Sequence, residues 1–123
     1  MLNHNIKCHL FVVYLEIECI CMMKLIEINI DKIIALCKKY KVDKLWVFGS
    51  ILTDRFNDNS DVDFSVKFHK ENMSLLDYAD NYLDFIDELK SVLSRNIDMI
   101  TEDSLTNPFF IKELNATKQL VYG

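Results

Sequence analysis

The sequence predicts an α/β (α+β) domain in which short strands alternate with amphipathic helices, and three observations predict it. Residues 61–68 alternate strictly between polar and apolar, the period-two signature of a strand with one wet face. Two segments, 30–40 and 75–93, repeat apolar residues at the three-and-four spacing of a single helical face. Short β-branched and aromatic runs stand between and after those helices. At 123 residues the chain is long enough for one domain with a real core and too short for two ordinary ones.

Taken in order, the elements begin with residues 10–23, an apolar run in which Glu16 and Glu18 fall on one side, a strand-like alternation. Those two charges break the stretch of about twenty uncharged residues that a spanning helix needs, and no small-residue cleavage site follows; no membrane association is expected. Met22 and Met23 precede the first clear helix, so residues 1–22 are assigned as an N-terminal extension, upstream of an alternative start, and residues 23–123 as the domain. Asn29 is expected to cap a helix carrying Ile30, Ile33, Ile34, Cys37 and Tyr40 on one face and ending near Lys41. Residues 44–48 read as a buried strand closed by a turn at Gly49.

On the strand 61–68, Asp61, Asp63, Ser65 and Lys67 share one face, and Val62, Phe64, Val66 and Phe68 the other. Ser74, with Asp77 three residues on, starts a long helix to about Ser94. Its expected buried stripe is Leu75, Ala79, Tyr82, Leu83, Ile86, Leu89 and Leu93. Residues 96–100 form a third strand in which Asp98 is the one carboxylate among Ile97, Met99 and Ile100. Asn107 and Pro108 suit the cap and first turn of a last helix through Leu114, and 118–122 a closing strand.

Composition narrows the function. Half the residues are apolar, 27% are charged, and there are only two Gly and one Pro, the make-up of a folding chain. The net charge is −5 and no Lys/Arg stripe is dense enough to follow a phosphate backbone, so long nucleic acid is excluded as a partner. A single nucleotide is not excluded, because divalent ions held by carboxylates can neutralise a triphosphate where basic side chains are scarce. Cys8, Cys19, Cys21 and Cys37 form no CxxC pair, and His4, Cys8, His9, Cys19 and Cys21 miss paired zinc-ligand spacing. Reduced thiols in a cytoplasmic protein are expected.

The residues that carry chemistry are acids. Asp61 and Asp63, two apart on a strand, leave the same face with Cα atoms roughly 6.5 to 7 Å apart. That suits two shared metal ions, which in phosphoryl-transfer sites stand about 3.5 to 4 Å apart. Asp98, on a neighbouring strand, would complete the set as a third ligand or accept the proton of an attacking hydroxyl. Gly49 allows positive φ and a close backbone approach where the chain turns. Backbone N–H groups and the Ser50 hydroxyl at that junction present donors to phosphate. Each piece alone is commonplace; the ordered combination of strand, Gly-Ser, Asp-x-Asp, helix and strand with a further Asp is specific.

Residues 48–64, running Phe48-Gly49-Ser50 through Asp61-Val62-Asp63-Phe64, resemble the signature of the DNA polymerase beta-like nucleotidyltransferase superfamily, and the likeness to its minimal members extends from Met23 to Gly123. The resemblance implies that superfamily's fold, a small mixed sheet flanked by helices. It implies an Mg²⁺-dependent nucleotidyltransferase with two ions. Asp61, Asp63 and Asp98 would be the metal ligands and catalytic groups, Gly49 and Ser50 the triphosphate site, and ATP the substrate that supplies AMP. One departure is that Leu52, Thr53 and Asp54 stand where many minimal members carry Ala-Arg-Gly, so the resemblance would shift the phosphate-side arginine to Arg55, which reads equally as a solvated loop cation. Lys67 and His69 read as solvated surface, and Trp46 as core packing rather than base stacking.

Larger members of the superfamily place the acceptor with a second domain. Minimal members resemble antitoxins that pair with a helical HEPN-family ribonuclease and transfer AMP to a tyrosine on it, so a partner-protein hydroxyl is the expected acceptor. An oligomer is compatible with this reading. The competing reading is a non-catalytic nucleotide-binding or partner-neutralising module, and transfer to a small molecule such as an aminoglycoside is a third.

Overall fold

The computed structural model describes residues 24–53, 57 and 59–123. Residues 1–22, expected to form an extension, with the strand-like alternation expected over 10–23, Cys8, Cys19, Cys21, His4, His9 and Arg55, lie outside the described residues. Residues 24–28 are helical and lead into α1 (Ile30–Lys39), followed by β1 (Val42–Phe48), a 3₁₀ turn (Gly49–Leu52), β2 (Val62–Phe68) and α2 (Leu75–Leu93). Then come β3 (Ile97–Thr101), a second 3₁₀ turn (Glu102–Ser104), α3 (Pro108–Thr117) and β4 (Gln119–Tyr122). The sheet order is β3-β2-β1-β4. β1 is antiparallel to both β2 and β4, while β2 and β3 are parallel, so the sheet is mixed. Parallel neighbours need a long crossover, and α2 supplies it.

Alternation sorts the strands into two faces. Leu45, Val47, Val62, Phe64, Val66 and Met99 point to one side and are buried against Ile33, Leu36 and Cys37 of α1 and Phe85, Leu89 and Leu93 of α2. Phe68 closes this core with ring contacts to Phe85 at 5.8 Å and to Tyr78 at 5.6 Å, both edge-on, the arrangement that aromatic quadrupoles favour. Burial pushes the Cys37 thiol up to about 12, so it behaves as a small apolar side chain. The other face carries Trp46, Phe48, Asp63, Ser65, Lys67 and Asp98. There α3 leans on the β1 end, with Phe110 edge-on to Phe48 at 6.3 Å.

Two caps form as expected. The Asp77 N–H donates to Ser74 Oγ at 3.1 Å, and Asn107 Oδ1 accepts from the N–H groups of Phe109 at 2.9 Å and Phe110 at 3.3 Å. Asn29 differs. Helix precedes it as well as follows it, so its side chain donates back to the Leu25 carbonyl at 2.8 Å and makes no cap bond. The α2 stripe follows expectation in part: Tyr82, Ile86, Leu89 and Leu93 pack on the core as expected, but Leu75 is 85% exposed and Leu83 57%, and Tyr78 and Phe85 join the inner face instead. The tyrosines win that face because Phe68 packs their rings and the Met99 carbonyl accepts the Tyr82 hydroxyl at 2.9 Å. Among the described residues, no helix is long and apolar enough to cross a membrane.

Candidate active site

β1 ends at Phe48, which is in register with Asp63 across the antiparallel pair, and the chain then turns sharply at Gly49. Gly49 has φ +76°, and a Cβ there would overlap Asp63 Oδ2 and stand 3.2 Å from its Cγ. Glycine is therefore required twice at this position, once for its backbone and once for the carboxylate against it. Buried Ile51 anchors the turn, and the Ser50 carbonyl accepts both the Thr53 N–H and the Thr53 hydroxyl at 2.9 Å. A cleft of about 540 Å³ opens here, lined by Gly49, Ser50 and Thr53 on one side and by Glu113, Thr117 and Gln119 on the other. That is the size range of small-molecule sites.

Asp63 and Asp98 are register partners across the parallel β2/β3 pair, so both side chains leave the same face of neighbouring strands, whose spacing is about 4.8 Å. Asp61, two residues before Asp63, lies just outside β2. Asp63 feels the other two acids. Burial, then the charge of Asp98, then that of Asp61, raises the Asp63 carboxyl from 3.8 to about 6. Asp98 is exposed rather than buried in its apolar strand, so the desolvated acid of the group is Asp63 and not Asp98.

An uncompensated cluster of carboxylate oxygens is a hard, anionic donor set, the kind that suits Mg²⁺. The side chains as they stand do not form a closed cage: among the described residues, no group of three His, Cys, Asp or Glu is drawn together tightly enough to hold an ion. The donor chemistry fits a divalent cation, and the protein alone supplies only part of its shell.

The sheet thus brings together Gly49, Ser50, Asp61, Asp63 and Asp98, and Arg55 lies outside the described residues. Lys67 is exposed further along the same face, and His69 is a surface residue, 3.6 Å from Asp43 and 4.0 Å from Glu71. Trp46 departs from its expected place in the core. It stands half-buried on the carboxylate face, with Lys118 Nζ 3.8 Å above its ring. Lys118 also pairs with Glu102 at 3.3 Å, and Glu102 accepts a hydrogen bond from the fully buried Ser65 hydroxyl. Sequence reasoning misses this network, one β2 position beyond Asp63 on that face. Its only signal is the placement of Ser65 on the polar side of an alternating strand.

Comparisons with known proteins bear on the family and the fold. The model of the family described as "Polymerase beta, Nucleotidyltransferase" matches residues 31–123. A protein of Methanocaldococcus jannaschii named as a candidate protein adenylyltransferase is 32% identical over 84 residues, covering 68% of this chain and 79% of its own length. A second such protein of the same organism is 33% identical over 87 residues, 69% of this chain and 80% of its own. Among solved structures, a candidate minimal nucleotidyltransferase superimposes with a TM-score of 0.64 at 21% identity, over 79% of this chain and 93% of that one. A toxin–antitoxin structure with AMP-PNP gives 0.59 at 21% identity, over 77% and 73%. A complex of tri-AMPylated Shewanella oneidensis HEPN toxin with MNT antitoxin gives 0.54 at 19%, over 79% and 71%. On its sequence, its mixed sheet and the acids and glycine turn that sheet assembles, this chain belongs to the polymerase beta nucleotidyltransferase family.

Proposed function

We propose that the protein transfers AMP from ATP, with Mg²⁺, to a hydroxyl of a partner protein, and that the partner is a HEPN-type toxin for which this chain is the antitoxin. The observation that carries the catalytic part is the pairing of Asp63 with Asp98 in register, with Asp61 close enough to raise Asp63 and with Gly49 pressed against the Asp63 carboxylate. The partner and acceptor are supported by what the relatives are named for and by the toxin–antitoxin complexes that share the fold.

In this reading Asp61, Asp63 and Asp98 hold Mg²⁺ ions. Once bound, those ions neutralise the triphosphate and stabilise the charge that builds on it during transfer. The Gly49–Ser50 turn receives the phosphates through backbone N–H groups and the Ser50 hydroxyl. Asp98, which is exposed, would take the proton of the incoming hydroxyl. The acceptor oxygen forms its bond to the α-phosphorus as the bond to pyrophosphate breaks, and pyrophosphate leaves. Holding both reactants in line is the larger share of such catalysis, because little covalent chemistry is left for side chains to perform.

The test is incubation of the purified chain with ATP labelled on the α-phosphate and Mg²⁺, with and without the protein encoded beside its gene. Label on that partner, lost in Asp61→Asn, is the expected result. A complex with the partner that forms equally well with Asp61→Asn and without nucleotide, and that takes up no label, marks a neutralising module instead.

A further inference from the structure

Asp61 is the member of the acidic trio that stands outside a strand, exposed at the end of the loop that leads into β2. A carboxylate so placed keeps its position beside Asp63 only if the backbone on both sides of it is held. On one side, Arg95 Nη1 donates to the Ser60 carbonyl at 3.0 Å and to the Asn57 carbonyl at 2.9 Å, and Nη2 donates to the Asn57 carbonyl at 2.9 Å. On the other side, the Val62 N–H donates to the Asn96 carbonyl at 3.0 Å. Ser60 and Val62 are the immediate neighbours of Asp61 in the chain.

Both holds come from one short turn. α2 is capped by Ser94, which takes a left-handed conformation with φ 53°, and β3 begins at Ile97, one residue before Asp98. The turn that launches the Asp98 strand therefore also grips the loop that delivers Asp61. Asn57, Asn59 and Ser60 are also tied to one another: Asn57 Oδ1 accepts the Asn59 N–H at 2.8 Å, the Asn57 carbonyl accepts the Ser60 N–H at 3.0 Å, and Ser60 Oγ accepts the Asn57 N–H at 3.0 Å. A planar guanidinium spans two carbonyls at once, which a lysine ammonium on a flexible stem reproduces poorly.

We infer that Arg95 is a positioning residue that sets the Asp61 carboxylate against Asp63 and Asp98, and so sets how strongly the protein binds nucleotide together with Mg²⁺. This rests on the reading of Asp61 as a metal ligand given under the proposed function.

The experiment is a double-mutant cycle read by calorimetric ATP binding in Mg²⁺ and again in EDTA, on the full chain, with melting curves for every variant. Asp61→Asn is expected to weaken Mg²⁺-dependent binding, and Arg95→Gln to weaken it by about tenfold, the usual effect of losing a group that orients a metal ligand. Arg95→Lys should fall between Arg95→Gln and wild type. Binding in EDTA should be unchanged, and the double variant should match Asp61→Asn to within about twofold, because Arg95 acts through Asp61. The inference is overturned if Arg95→Gln binds within twofold of wild type while Asp61→Asn is weakened, or if its loss simply adds to that of Asp61→Asn. Should Arg95→Gln melt below the assay temperature, Arg95→Lys carries the test, expected about fourfold weaker than wild type, with binding within twofold of wild type or a loss that adds to that of Asp61→Asn overturning the inference. If Asp61→Asn itself binds as wild type does, it is the assignment of the acids as metal ligands that fails.

Discussion

Replacing Asp63 by asparagine should make the ligand-free protein more stable at neutral pH while removing its activity. The folded Asp63 carboxyl sits at about 6, against 3.8 for the free group, through burial and the charges of Asp98 and Asp61. Folding therefore favours the protonated form, and as pH rises the unfolded chain gains more by ionising than the folded one does. Stability contributed by this residue falls as pH climbs from about 4 to about 6 and is wholly lost above that. At about 1.36 kcal/mol per pH unit the interval corresponds to roughly 3 kcal/mol, and solvent screening of a half-buried side chain reduces it to about 1.5 kcal/mol.

About a third of the cost is expressed by pH 4.5 and all of it by pH 7.5, so the advantage of Asp63→Asn should grow by roughly 1 kcal/mol between them. In urea, with a slope of about 1 to 3 kcal/mol per molar, that is a midpoint shift of roughly half a molar. The assay is paired urea titrations at both pH values in EDTA without nucleotide. A gain from Asp63→Asn that is the same at the two pH values, or a loss at the higher one, would refute the assignment of the raised carboxyl to burial and crowding of like charges.

Gly49→Ala should cost more than the roughly 1 kcal/mol of a misplaced positive φ, because its methyl would displace the Asp63 carboxylate. Thermal melts should fall and ATP affinity should fall with them, and an unchanged affinity would separate the turn from nucleotide binding. Glu102→Ala leaves the buried Ser65 hydroxyl and Lys118 without that partner, a loss of about 1 to 3 kcal/mol by urea denaturation. Asn107→Ala removes the side-chain cap of α3 and should cost about 1 kcal/mol. Transfer rates per folded molecule should be unaffected by that change, since Asn107 touches none of the acids.

The parts of the fold that are legible in the sequence are those encoded locally. Strict alternation over 61–68 marks β2 and both its faces, and Ser74 and Asn107 announce helix starts because a capping bond reaches only two or three residues. Gly49 is readable as a close-approach glycine, though what approaches it from within the protein is the Asp63 side chain. What cannot be read depends on neighbours far along the chain. Leu75 and Leu83 lose the inner face of α2 while Tyr78 and Phe85 join the expected Tyr82 there, because the Phe68 ring packs against all three, and helical spacing alone does not say which of two overlapping stripes faces a sheet. Asp98 stands out in its own strand, but its exposure and its level with Asp63 follow from the β2/β3 register. Trp46 reads as core because its neighbours are apolar, whereas its partner, Lys118, lies in the α3–β4 turn. The grip of Arg95 on Asn57 and Ser60 spans 35 to 38 residues and leaves no trace in either segment.

The parallel β2/β3 pairing has a consequence for how the molecule matures. Two antiparallel strands can zip together through a tight bend, whereas bringing Asp63 level with Asp98 requires closing the chain across the intervening helix, a long-range pairing that carries a larger loop-closure cost and slows folding. A partly folded chain, or one released before its third strand is made, has half of the acid pair and no site. On the proposed assignment of these acids, nucleotide capture would require the complete topology, and a nucleotide that binds only the finished fold would draw the population toward it by mass action.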